Sequence, residues 1–204
     1  MPTNHDIRSV HHTAVVASVD VVNNVTPNDL HRATPCDGWS LSHLLAHMTV
    51  QHRGFAAAAR GDGANPARWD IATVADAVAT DPAGTYAAAA ADVLEAFAED
   101  DVLAASFALP EFGPGAAFPG SLAIGFHFVD YVVHGWDVAR AIDAPFTLPP
   151  DVISAVLPLV FAVPDGDIRT ASGSVFAPAI AAGEGVSDLD RALLHLGRSP
   201  AWTP

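Results

Sequence analysis

Four long stretches of this 204-residue chain repeat apolar side chains at helical spacing, and that pattern limits the chain to an all-α architecture. Asp6 to Val25 places Ile7, Val10, Ala14, Val21 and Val25 along one face and ends at Thr26-Pro27-Asn28. After the turn Thr34-Pro35-Cys36-Asp37-Gly38-Trp39, Ser40 is suited to cap a second helix running to about Arg60. Gly61 to Pro66 breaks it, and a short helical piece near Thr73 to Ala79 leads into a third long helix, about Asp81 to Glu99, with Pro82 in its first turn. The fourth, about Gly120 to Ile142, stops near Pro145. Val102 to Pro119, containing Gly113-Pro114-Gly115, reads as a long flexible loop with the makings of a lid. Pro149-Pro150 opens a further helix to about Val163, Pro164 to Gly185 is interrupted by glycine and proline, and Asp188 to Leu196 gives a last short helix. The expectation is one domain over residues 1–204: a four-helix bundle in 1–147 and a short helical extension in 148–204.

Half of the residues are hydrophobic and the mean hydropathy is +0.29. No apolar run approaches the roughly 18 residues of a membrane span, so the surplus is mostly alanine in amphipathic helices. Met1 to Val10 has neither a basic nor an apolar leader region, and Cys36 stands alone, so no disulfide framework forms; a cytoplasmic protein is expected. The net charge of −14 repels phosphate backbones and anionic membranes, so neither nucleic acid nor membrane is an expected partner. All nine basic residues are arginines. The absence of lysine rules out pyridoxal or aldolase Schiff bases and P-loop nucleotide hydrolysis. Ten histidines point instead toward metal or acid–base chemistry.

The densest functional pattern is Asp130-Tyr131-Val132-Val133-His134-Gly135-Trp136-Asp137. A carboxylate and an imidazole four residues apart on a helix project from one face, so Asp130 and His134 can share one divalent ion. His127, Asp130, His134 and Asp137 span an arc of about 80° at ~100° per residue. Leu122, Gly125, Val129 and Trp136 lie on a different, apolar stripe. A solvent-facing arc is the competing explanation, although such faces usually carry longer charged side chains. A third ligand must come from elsewhere. On the second helix Leu41, Leu45 and Met48 mark the core stripe; His47 and Gln51 sit at its edge, His52 falls within it and His43 lies outside. Periodicity leaves His47 and His52 as equal candidates. His11 faces the core side of the first helix, to pack or to line a pocket. Cys36 reads as structural and Trp136 as core, Asp137 as a residue that orients a ligand, and Arg140 as a partner for Asp137 or Asp143.

Thr34 to Ser40 followed by His43-Leu44-Leu45-Ala46-His47 resembles the second-helix entry of the DinB-like bundle superfamily. The likeness is greatest to the branch of mycothiol-dependent maleylpyruvate isomerases and related actinobacterial metal-binding proteins. Asp130 to Ala141 resembles that branch's fourth-helix signature, and Leu189 to Trp202, with Leu193 to Pro200 inside it, its closing motif. The resemblance implies a histidine ligand at His47 beside Asp130 and His134, which separates His47 from His52. The isomerases have glutamate where this chain has Asp130, so the carboxylate loses a methylene of reach. They also continue into a second α+β domain, for which about sixty residues after Pro145 are too few.

Two imidazoles and one carboxylate leave a divalent ion with open positions; zinc is the first expectation, with nickel, manganese or iron compatible with the same donors. The resemblance implies a metal-dependent enzyme acting on a small metabolite through a low-molecular-weight thiol such as mycothiol, of isomerase or S-transferase type. A thiol-independent Lewis-acid cyclase, hydratase or hydrolase uses the same centre, and a metal-binding scaffold without turnover is the reading from another class. A homodimer is compatible with each.

Overall fold

The computed structural model describes residues 6–171 and 174–204; the leader reading of Met1 to His5 lies outside the described residues. The four long helices form where periodicity places them: α1 (Arg8–Val22), α2 (Leu41–Ala59), α4 (Pro82–Ala98) and α5 (Gly120–Ala141), with a short α3 (Ala75–Thr80) before α4. Their starts follow local chemistry. The Ser40 hydroxyl accepts the His43 N–H at the head of α2, and the Asp81 carboxylate accepts the Gly84 N–H at the head of α4, beside Pro82. The helices pack in a ring, α1 between α5 and α4, and α2 between α4 and α5. Leu41, Leu44, Leu45, Met48, Tyr86, Tyr131 and Val138 fill the interior at one end, and Phe55, Phe97, Phe107, Leu109 and Ile124 at the other.

Two corrections to the sequence reading concern what surrounds this ring. The segment 102–119 is no open loop. Ser106–Ala108 (β1) pairs antiparallel with Ala117–Pro119 (β2), and a short 3-10 turn at Pro110–Phe112 lies between them. Phe107 and Leu109 are fully buried, so the hairpin is pinned to the bundle by its apolar side. Gly113 and Gly115 have φ of +117° and +75° and make the reversal that alternation of apolar residues could not reveal. The second concerns the stripe on α5, where Leu122 is 43% exposed; the polar arc is not solvent-facing, since His127 and Asp137 are among the 17 of its 22 residues that are buried.

The burial follows from the extension, where α6 (Pro150–Phe161) and α7 (Asp188–His195) cover the side of α5 that the ring leaves open. Phe128, Val129, Val132 and Val133 pack there against Val152, Val156, Val160 and Leu196. The irregular stretch between α6 and α7 is tied down by the buried Arg169, which donates to the carbonyls of Val163, Pro164, Ala177 and His195. Such a fan of donors satisfies backbone groups that no regular element pairs. No helix among the described residues is long and apolar enough to cross a membrane.

Candidate metal centre

Helices α2 and α5 run side by side in opposite directions, so His47 faces Asp130 and His134 while His52, further along α2, faces His127, further back along α5. The first group is compact. His134 Nε2 lies 3.3 Å from Asp130 Oδ1, and His47 Nε2 lies 4.0 Å from Asp130 Oδ2. One donor atom from each of the three falls within 4.8 Å of the others. Donors at about 2.0–2.1 Å from a tetrahedral zinc stand roughly 3.3 Å apart, so small side-chain adjustments seat an ion. Both His47 and Asp130 keep about one-fifth of their side-chain surface exposed, which leaves the group open on one side.

The electrostatics suit a cation. Burial pushes the His47 imidazole down to about 4, against the pull of Asp130, so it is neutral and offers a lone pair at neutral pH. Burial also opposes ionisation of Asp130, but His134 and His47 outweigh it and hold the carboxyl below its ordinary range. His134 sits between two carboxylates. Burial works against its cation, yet Asp130, Cys36 and Asp137 overcome that and raise its value well above that of a free imidazole. The proton held there occupies the place that an ion's positive charge would take.

Behind His134 is a support that spacing disclosed only in part. Its Nδ1 meets Asp137 Oδ2 at 2.9 Å, which directs Nε2 toward Asp130 and His47. Asp137 is fully buried, and it is held by Arg198 from the closing segment, whose Nε lies 3.0 Å from Oδ1 and 3.2 Å from Oδ2. Cys36, buried in the turn before α2, places Sγ 3.1 Å from Asp137 Oδ2 and 3.1 Å from Arg198 Nη2. Cys36, His134 and Asp137 are also near enough to suggest a metal cluster, but the Arg198 guanidinium already fills the cationic position beside them. Arg140 does not pair with Asp137 as spacing suggested; it donates to the Trp202 carbonyl and lies over the Trp136 ring, itself buried. Arg198 lies in the quoted closing motif, yet nothing in local periodicity marks it as facing α5.

The remaining sequence candidates go elsewhere. His43 is exposed and stacks on Trp39, with ring centroids 4.4 Å apart; Trp39 also stands 5.0 Å from the His47 ring. His52 is fully buried, with Nδ1 3.1 Å from His127 Nε2, and His127 Nδ1 in turn meets His11 Nε2 at 2.8 Å. Those three make a chain of hydrogen-bonded rings, of which His52 and His127 stack on Tyr131. Gln51, which the sequence places at the edge of the core stripe, meets Glu111, which sequence reasoning passed over, at 3.2 Å. Gln51 is one helical turn from His47. Glu111 had a plain signal: between Val102 and Val129 it is the single charged residue.

A family model described as the mycothiol maleylpyruvate isomerase N-terminal domain matches residues 11–139, a span holding all three side chains of the centre. The chain belongs to this family. Among its relatives are uncharacterized proteins of Mycobacterium tuberculosis strains CDC 1551 / Oshkosh and H37Rv, each 27% identical over 143 residues that cover 70% of both chains. The fold matches the crystal structure of the mycothiol-dependent maleylpyruvate isomerase at a TM-score of 0.60 and 18% identity, over 83% of this chain and 72% of that one. A histidine-to-alanine mutant of that isomerase matches at 0.58 and 16% identity. The four-helix bundle therefore shares the fold of that isomerase.

Proposed function

We propose that His47, Asp130 and His134 hold one divalent transition ion, zinc before nickel, manganese or iron. The protein then acts as a metal-dependent enzyme on a small metabolite, using a low-molecular-weight thiol of the mycothiol kind in an isomerase or S-transferase reaction. The observation that carries this is the convergence of two imidazoles and a carboxylate from antiparallel helices, open on one side and braced behind by Asp137 and Arg198. Such a donor set, when loaded, polarises a carbonyl and lowers the pKa of a coordinated thiol.

The chain's own residues do the positioning. Asp137 fixes the tautomer and tilt of His134, and although burial opposes its charge the His134 hydrogen bond and Arg198 keep Asp137 ionised. Asp130, one methylene shorter than the glutamate of the isomerases, sits near enough to His134 to share an ion through direct coordination. The neighbourhood is mixed in character: Gln51, one turn from His47, pairs with Glu111, while Phe112, next to Glu111, stacks on Phe126 at 5.0 Å. It suits a small substrate with both a polar head and an unsaturated or apolar part. A cytoplasmic location and action within one domain of residues 1–204 belong to the same proposal.

The test is direct. Elemental analysis of the purified protein should give about one transition metal per chain, and mycothiol should be required for isomerisation of maleylpyruvate or a related unsaturated acid. Full turnover without thiol would favour the thiol-independent Lewis-acid reading, and metal-loaded protein inert toward all such substrates would favour the scaffold.

A further inference from the structure

The turn at Pro110–Phe112 spans the two helices that carry the metal centre. Glu111 reaches α2, where its Oε2 accepts from Gln51 Nε2 at 3.2 Å, and Gln51 is one turn from His47. Phe112 reaches α5, where it stacks on Phe126, one turn from Asp130. The turn therefore packs against both helices, its contacts on each lying one helical turn from a residue of the centre. It is held in place by the buried Leu109 on one side and by the β1–β2 ladder on the other.

The geometry points to Glu111 as a catalytic residue of this centre, the acid–base group that moves the substrate's proton. This deepens the thiol-enzyme reading and rests on it. As the thiol sulfur bonds to the β-carbon of an activated double bond, the thiol proton passes to the Glu111 carboxylate. The π electrons move onto the conjugated carbonyl oxygen, and Glu111 hands that oxygen the proton. After rotation about the new single bond Glu111 takes the proton back, the double bond re-forms, the carbon–sulfur bond breaks, and the proton returns to sulfur. Nothing is consumed.

The surroundings give Glu111 the right acidity. Glu111 keeps part of its surface in water, but the protein packed around its carboxyl pushes it up to about 7 and Asp130 adds to this, while the Gln51 hydrogen bond opposes it. The groups facing it are Asp130 and Tyr131 of α5 and the neutral Gln51 of α2. A group half-ionised near neutrality serves as acid and base in turn.

The test uses the zinc-loaded full chain. Infrared difference titration of wild type against Glu111→Gln should show one carboxyl protonating near neutrality; titration in the ordinary carboxylate range overturns the assignment whatever the substrate. With mycothiol and maleylpyruvate as probes, Glu111→Gln should lower kcat roughly 10²–10⁴-fold, leave metal content and KM in place, and erase the pH dependence near neutrality. Glu111→Asp should recover part of the rate. An unchanged kcat and pH profile in Glu111→Gln overturns the assignment. If the wild type turns over nothing, it is the thiol-enzyme reading that fails, and the infrared titration alone decides the standing of Glu111.

Discussion

His47, Asp130 and His134 lie one turn along the same antiparallel pair of helices from His52 and His127, which continue to His11 on α1. Both groups are rich in imidazole, yet only the first contains a carboxylate and an open side. In the second, burial drives all three rings to the neutral form, His11 down to about 3, and they satisfy one another through hydrogen bonds of 2.8 and 3.1 Å. His52 Nε2 is left without a partner. The contrast shows that a histidine's place on a helix face matters less than what stands opposite it. An acidic neighbour with access to water makes a candidate ligand, and another imidazole in a dry core makes a packing element.

The sharpest way to break this comparison is to exchange the roles. His47→Ala or His134→Ala should abolish stoichiometric metal in the purified protein, whereas His52→Ala should retain it; elemental analysis showing retained metal in His134→Ala, or loss only in His52→Ala, would reverse the assignment. The helical fold should survive metal removal, as circular dichroism of a chelated sample will show, because the bundle core is apolar without it. Next in size is His127→Ala, which opens a cavity and strands both His11 and His52. It should cost roughly 3–5 kcal/mol in denaturant unfolding while leaving the metal in the folded fraction.

Acid should expose the second group. Its members are neutral in the fold with pKa values depressed below the unfolded value of about 6.5, so the unfolded chain binds more protons below that pH. Stability is then complete above about pH 6.5 and falls as pH drops toward 3, by up to about 1.4 kcal/mol per unit for each such ring. Urea midpoints that stay level between pH 7 and pH 5 would contradict this.

The sequence made the helices readable because their apolar repeats and caps are local, as Ser40, Asp81 and Pro82 show. The pair Asp130 and His134 was readable for the same reason. The hairpin escaped because its strands are three residues long and owe their stability to the burial of Phe107 and Leu109, a tertiary effect. The choice between His47 and His52 needed family resemblance, since both occupy the inner half of one helix. Arg198 was hidden by distance: it meets Asp137 across 61 positions in the chain.

Smaller effects refine the first group. Asp137→Asn should weaken metal binding about 10–100-fold by freeing the His134 ring, with Arg198→Ala following in the same direction. Asp130→Asn should also weaken binding strongly if the carboxylate ligates directly, and near-wild-type affinity there would move Asp130 to a water-mediated role. The smallest change expected is in Asp130→Glu, whose added methylene should match or modestly improve the wild-type affinity in the same titrations.

Trp39 gives the centre a signal of its own. Its indole lies against His43 and 5.0 Å from the ring of His47, so an ion arriving at that imidazole changes the polarity and quenching around the indole. Metal uptake and release can therefore be followed as a change in emission in unlabelled protein, with Trp39→Phe as the silent control. The wall of the centre doubles as its optical probe.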